Sequence, residues 1–267
     1  MKIFANHAHV FPAELRPEGD VEHLLRLMDE CGIGRAVAFA PFQSQWQGRS
    51  DNPVDWLAGV VAAHADRLCG YPALDPERPD AAEMLRRAKG AGFRGVKLHP
   101  AFDRWSLKSP RAYAFYEQAQ ELGLVLDFHT GVHAHRIADY HPLLFDDVAC
   151  DFPELCMVFE HVGGYHFFTD MMAVMTNHLH DPDRRLFAGI ASVLSREVQK
   201  CWYLGPEKVA DVVWQLGDDC LIFGLDFPYN DAAYIRRDLD CIMGMDLPLQ
   251  SKQKILGGNL HALHATA

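Results

Sequence analysis

The segment LIFGLDFP (residues 221–228) is an apolar strand that ends in a carboxylate, Asp226, and KIFANHAH (2–9), at the other end of the chain, is one that ends in His7 and His9. Two more segments share this pattern: LVLDFHTG (124–131) ends in His129 and CMVFEHVGG (156–164) in His161. Side chains two apart on a strand point to one face, so His7 and His9 are placed to bind one ion together. Between these segments strand-like and helix-like stretches alternate, giving eight strands each followed by a helix. That rhythm suits either a closed (β/α)8 barrel or a doubly wound open sheet. Barrel sites gather at the carboxyl ends of several strands, and in a closed barrel the first and eighth strands are neighbours. His7, His9 and Asp226 then meet, whereas an open sheet separates them. The expected fold is therefore an α/β TIM barrel, one domain over residues 1–267.

The other strands are expected at RAVAFAP (35–41), LCGYPAL (68–74), FRGVKLHP (93–100) and RLFAGIA (185–191). Helices are expected to start at Asp20, at Asn52–Pro53 and at Ser109–Pro110, where a capping side chain precedes the helix or a proline opens it. Further helices are expected near 80–89, 139–149, 163–178, 206–217 and 231–243, with one through KILGGNLHALH. The long polar loop APFQSQWQGRSDNP (40–53) is a candidate pocket wall or lid.

Composition narrows the function. The chain is 49% hydrophobic and 23% charged over 267 residues, which is ordinary for a protein with a large core. Its net charge of −11, from 25 basic and 36 acidic side chains, disfavours nucleic acid or an anionic membrane as partner. The seven cysteines include no C-x-x-C pair, which favours a reducing compartment. Neither a signal peptide nor a membrane-length apolar run is present, so a cytoplasmic protein acting on a small molecule is expected.

Imidazoles with a carboxylate suit zinc first, with manganese or ferrous iron as alternatives, and the absence of cysteine at the strand ends argues against a structural thiolate site. His7, His9, His129 and Asp226 form the expected metal set. Asp226 is expected to move the proton of an attacking water, and His161 to hydrogen-bond the reacting oxygen. Lys97 and His99 also stand two apart. They are candidates for a second metal, through a lysine carbamate, or for holding an anionic substrate. The other His-x-His pairs, in HAHR (133–136) and HLH (178–180), are expected to be surface polarity. No G-x-S-x-G or dinucleotide fingerprint occurs.

NHAHVFP, GVKLHP, DFHTG, FEHVGG, GLDFPY and KILGGN, in that order, resemble the amidohydrolase superfamily. They are most similar to its amidohydrolase-related branch, which also holds aminocarboxymuconate-semialdehyde decarboxylase and resorcylate decarboxylases. The resemblance implies a (β/α)8 barrel with a divalent ion, one rather than two. It implies His7, His9, His129 and Asp226 as ligands, with Asp226 also general base or acid. His161 is either catalytic or a ligand to a second ion. The leading expectation is a hydrolase opening a C–N or C–O bond of a small amide, lactone or ester. The alternatives are a non-oxidative decarboxylase and a non-catalytic metal-binding barrel. A homo-oligomer is also compatible, with the aromatic-rich 163–178 stretch as its candidate interface.

Overall fold

A computed structural model describes residues 2–46, 48–180, 185–196 and 200–266. Its strands are β1 (Ile3–His9), β2 (Ile33–Phe39), β3 (Leu68–Tyr71), β4 (Gly95–Leu98), β5 (Val125–His129), β6 (Met157–Glu160), β7 (Leu186–Gly189), β8 (Leu221–Ile222) and β9 (Gly224–Phe227). All pair in parallel, in the orders β3-β2-β1-β9 and β4-β5-β6-β7-β8.

Two junctions join these sheets into a barrel. On one side Ala73 bridges Lys97 in parallel, with the Lys97 N–H donating to Pro72 O at 2.9 Å. On the other, the expected last strand is split at Phe223. Its N–H donates to Ile255 O at 3.1 Å and its carbonyl accepts from Asn6 N at 2.8 Å. The chain thereby leaves β7, its partner through β8, and joins β1 through β9.

The helices start where the caps predict. Asp20 accepts from His23 N, Asn52 from Asp55 N and Ser109 from Ala112 N. The helix expected near 139–149 begins later, at Leu144, after a short 3-10 turn over Ile137–Asp139. Among the described residues no helix is long and apolar enough to cross a membrane. All seven cysteines are free. Of the aromatics expected at an interface, Phe167 and Phe168 are buried and Tyr165 is exposed.

Strand alternation sorts the core into two layers. Outward positions such as Ala36, Ala38, Leu126, Phe128 and Phe159 pack under the helices. Inward positions such as Phe4, Val37, Phe39, Val125 and Val158 fill the barrel floor with Leu260 and Leu263 of the C-terminal helix. His264 of that helix seals the floor against Tyr71, whose hydroxyl lies 2.9 Å from its Nε2. Above this apolar plug the inward positions turn polar, which is where the chemistry lies.

Candidate metal centre

The first polar layer is a connected set of buried side chains. Lys97 Nζ donates to Asp127 Oδ1 at 2.7 Å, and Asn6 Nδ2 donates to Asp127 Oδ2 at 2.7 Å and to Glu160 Oε1 at 2.6 Å. Glu160 Oε2 then lies 2.9 Å from His7 Nδ1. All five residues are buried to 1% exposure or less. Burial raises both carboxyls: Asp127 is pushed up to about 7 despite the Lys97 ammonium, and Glu160 is also raised. Gly189 makes room for Glu160, since a Cβ there would overlap the carboxylate.

The second layer carries the donors. His7 Nε2 lies 3.1 Å from His9 Nε2 and 3.4 Å from Asp226 Oδ1. One ligand atom from each of His7, His9 and Asp226 falls within 4.8 Å of the others. Burial is the main reason that both imidazoles titrate well below 6.5, with Lys97 next for His7 and His7 next for His9. They are therefore neutral, the form that ligates a metal. Two nitrogens about 2.0–2.1 Å from a tetrahedral zinc stand roughly 3.3 Å apart, close to the spacing of this pair. Two neutral rings whose lone pairs face each other repel unless a cation or a shared proton lies between them. The geometry and the donor types therefore fit a divalent ion, which His7, His9 and Asp226 would hold.

Asp226 is steadied by Ser192, whose hydroxyl donates to Oδ2 at 2.5 Å, and Asn230 Nδ2 donates to Ser192 Oγ at 2.9 Å. His161 donates from Nδ1 to Ala191 O at 2.8 Å, which leaves Nε2 to the cavity. His129 does not belong to the three-residue donor set. It lines the same cavity 4.9 Å from the His161 ring, and its buried Nε2 has no hydrogen-bond partner among the described residues. Burial, then His99, holds His129 neutral as well.

His7, His161, Ser192 and Asp226 all have φ between 51° and 66°, a left-handed backbone that is uncommon outside glycine. Such residues concentrate at functional sites. For His7 the left-handed turn has a specific effect. Phe4 and Asn6 both face inward, so regular alternation would turn His7 outward. The turn at His7 resets the phase, with a register shift between Ala5 and Ala8, and His7 and His9 then face the barrel together. Their convergence depends on this irregularity as well as on two-residue spacing.

The cavity above these donors has a volume of about 220 Å³. Phe42 and Gln45 from the 40–53 loop form part of its wall, as that loop's reading anticipated; Gln47 lies outside the described residues. His99 stacks on His129 with ring centroids 3.8 Å apart, and His133 packs edge-on to His99 at 4.8 Å. His133 thus belongs to the cavity and not to the surface as HAHR suggested. Trp202 stacks on His161 at 5.0 Å, in a place where a Cβ on Gly131 would come within 2.6 Å of its ring.

Glu160 and Asp127 were missed as partners of the site, although each is an acid inside an apolar strand and so requires a partner. Nothing in the sequence signals Trp202 or Ser192.

The profile of the amidohydrolase family matches residues 6–263. No curated protein sequence matches significantly. Among solved structures, an uncharacterised TIM-barrel protein from Bordetella bronchiseptica superposes with TM-score 0.77 at 19% identity, over 100% of this chain and 99% of its own. A dihydroxybenzoic acid decarboxylase from Polaromonas, with bound manganese and 2-nitroresorcinol, gives TM-score 0.72 at 18% identity, over 99% of this chain and 97% of its own. A candidate 2-pyrone-4,6-dicarboxylic acid hydrolase from Pseudomonas putida gives 0.70 at 16%, over 99% and 98%. At such identities these likenesses show the fold. With the family profile spanning nearly the whole chain, this protein is an enzyme that belongs to the amidohydrolase family.

Proposed function

We propose that the protein is a metal-dependent hydrolase that opens a C–N or C–O bond in a small amide, lactone or ester. The observation that carries this reading is the convergence of His7, His9 and Asp226 on one point of a cavity that also presents His161. We assign one zinc ion to these three donors and take His129, with its unpartnered Nε2, as the fourth protein ligand. Manganese or ferrous iron suits the same donors.

A divalent ion in such a site lowers the pKa of bound water to about 7 and polarises a carbonyl. Asp226 keeps one oxygen on Ser192 and turns the other to the site, where it accepts the proton that the attacking water releases. It then delivers that proton to the leaving nitrogen or oxygen. His161, oriented by its bond to Ala191, hydrogen-bonds the reacting oxygen from Nε2 once protonated there. Lys97 is held by Asp127, so we give it a positioning role and neither a carbamate nor a substrate contact. His99 and His133 shape the substrate wall.

The lining also favours hydrolysis over decarboxylation. Among the described residues no arginine lines the cavity. Arg49, in the 40–53 loop, pairs with Glu14 and Asp51. A carboxylate substrate would therefore find no guanidinium clamp. One observation favours the decarboxylase: the His99 and His133 imidazoles lie together on one wall and suit a carboxylate if protonated.

The test is metal analysis with turnover. Zinc-loaded protein is assayed on small amides, lactones and esters by proton release, and on hydroxybenzoates by CO2 release. Hydrolysis that is lost in Asp226→Asn, together with metal lost in the His7→Ala, His9→Ala double variant, supports the proposal. CO2 release without hydrolysis moves the assignment to the lyase. A protein that binds metal yet turns over neither class fits the non-catalytic barrel.

A further inference from the structure

A second group of ligand-type side chains meets on the outer surface, away from the barrel mouth. Asp146 and Cys150 stand one turn apart on one face of the helix Leu144–Asp151. His178 follows the helix Gly164–Asn177, where its N–H bonds to the carbonyls of Val174 and Thr176 at the helix end. One ligand atom from each of Asp146, Cys150 and His178 lies within 4.8 Å of the others.

The plainest account is a surface ion pair, with His178 Nε2 3.0 Å from Asp146 Oδ1, beside a solvent-facing thiol. Three features exceed it. The donors are a thiol, an imidazole and a carboxylate, a mixed set from two helices that differs from a run of surface acids. Asn177 Nδ2 donates to the same Asp146 oxygen at 2.9 Å, so the carboxylate is oriented by a group outside the donor set. The helix also carries Asp151 beside the group, whose negative charge attracts a cation, whereas Asp147 is paired with Lys108 at 2.7 Å.

We propose that Asp146, Cys150 and His178 form a second metal site that takes a borderline divalent ion such as zinc. Sulfur and imidazole nitrogen select zinc, cobalt or cadmium over magnesium and calcium. On binding, the Cys150 thiol gives up its proton to solvent as its sulfur bonds the ion, and His178 exchanges its contact with Asp146 for the metal. Water completes the four-coordinate shell. The exposed Cys150 side chain swings in to close the remaining distance. The bound ion ties together the two helices that flank β6, the strand that carries Glu160.

Cobalt distinguishes this site from the barrel, because among the described residues no cysteine lines the barrel cavity. Chelator-treated protein is titrated with Co2+ and the near-ultraviolet thiolate-to-cobalt charge-transfer band is followed. The wild type is expected to develop a band with the intensity of one cobalt–thiolate bond, saturating within two equivalents of added Co2+, and added zinc to abolish it. The band is expected to disappear in Cys150→Ser and His178→Ala and to persist in the His7→Ala, His9→Ala variant. Cys201→Ser controls for the other exposed cysteine and is expected to keep the band. Far-ultraviolet circular dichroism checks that each variant is folded. No band in the wild type, or a band that survives Cys150→Ser, overturns the proposal. So does a band lost with the barrel histidines or with Cys201.

Discussion

Glu160 is the residue on which the candidate metal centre leans most. Its carboxylate faces His7 Nδ1, so it favours the tautomer whose Nε2 lone pair points at the metal position. Glu160→Gln keeps the shape and removes the charge. Losing such a partner typically weakens metal binding about 10–100-fold, and chelator competition measures it; unchanged affinity would show that Glu160 does not orient His7. Gly189→Ala attacks the same carboxylate sterically, because the new Cβ must displace it. Overpacking of this kind costs roughly 1–3 kcal/mol, read from denaturant unfolding. The donors at the strand ends were legible in the sequence, since a histidine or aspartate closing an apolar strand stands out. Asn6 was not legible, because it and His7 both face inward only through the left-handed backbone at His7. His133 was hidden for another reason: its loop folds back over His99, and only tertiary structure shows that.

At the scale of elements, eight strands and their capped helices followed from periodicity and turn residues. The break at Phe223 did not. LIFGL has no proline or bulge signature there, and the switch depends on the Ile255 carbonyl, more than thirty residues on. The helix Ala232–Gly244 carries a second feature that periodicity conceals. Asp238 is buried on it, with no hydrogen bond to either carboxylate oxygen among the described residues. Burial pushes its carboxyl up from 3.8 to about 7, against the pull of Arg237. The folded state thus keeps a proton that the unfolded chain loses near 3.8. The stability contributed by the neutral carboxyl is complete below 3.8 and is lost as pH rises to about 7. Asp238→Asn does not titrate. Its advantage over the wild type is expected to grow from mildly acidic to mildly alkaline pH, reaching about 1–3 kcal/mol. Urea midpoints at the two pH values measure this, and an equal offset at both would show that Asp238 does not titrate in the fold.

Over the whole molecule, the candidate ion links the two ends of the barrel wall. His7 and His9 come from β1 and Asp226 from β9, its hydrogen-bonded neighbour. An ion that binds only the folded state, at about 100 times its dissociation constant, adds about 2.7 kcal/mol. For a chain of this size that corresponds to roughly 5–10 °C in thermal midpoint. Stripping with a chelator is expected to lower the midpoint by that amount, and zinc to restore it; no shift would remove the ion from the stability of the fold.

The placement of Asp226 also has a consequence for biosynthesis. The histidine pair leaves the ribosome well before the aspartate of the candidate donor set. Until β9 has emerged, a nascent chain can offer the ion imidazoles alone, without the carboxylate. Loading of the candidate site would therefore wait on the synthesis of β9, and a chain cut short before Asp226 would carry the histidines without their carboxylate partner.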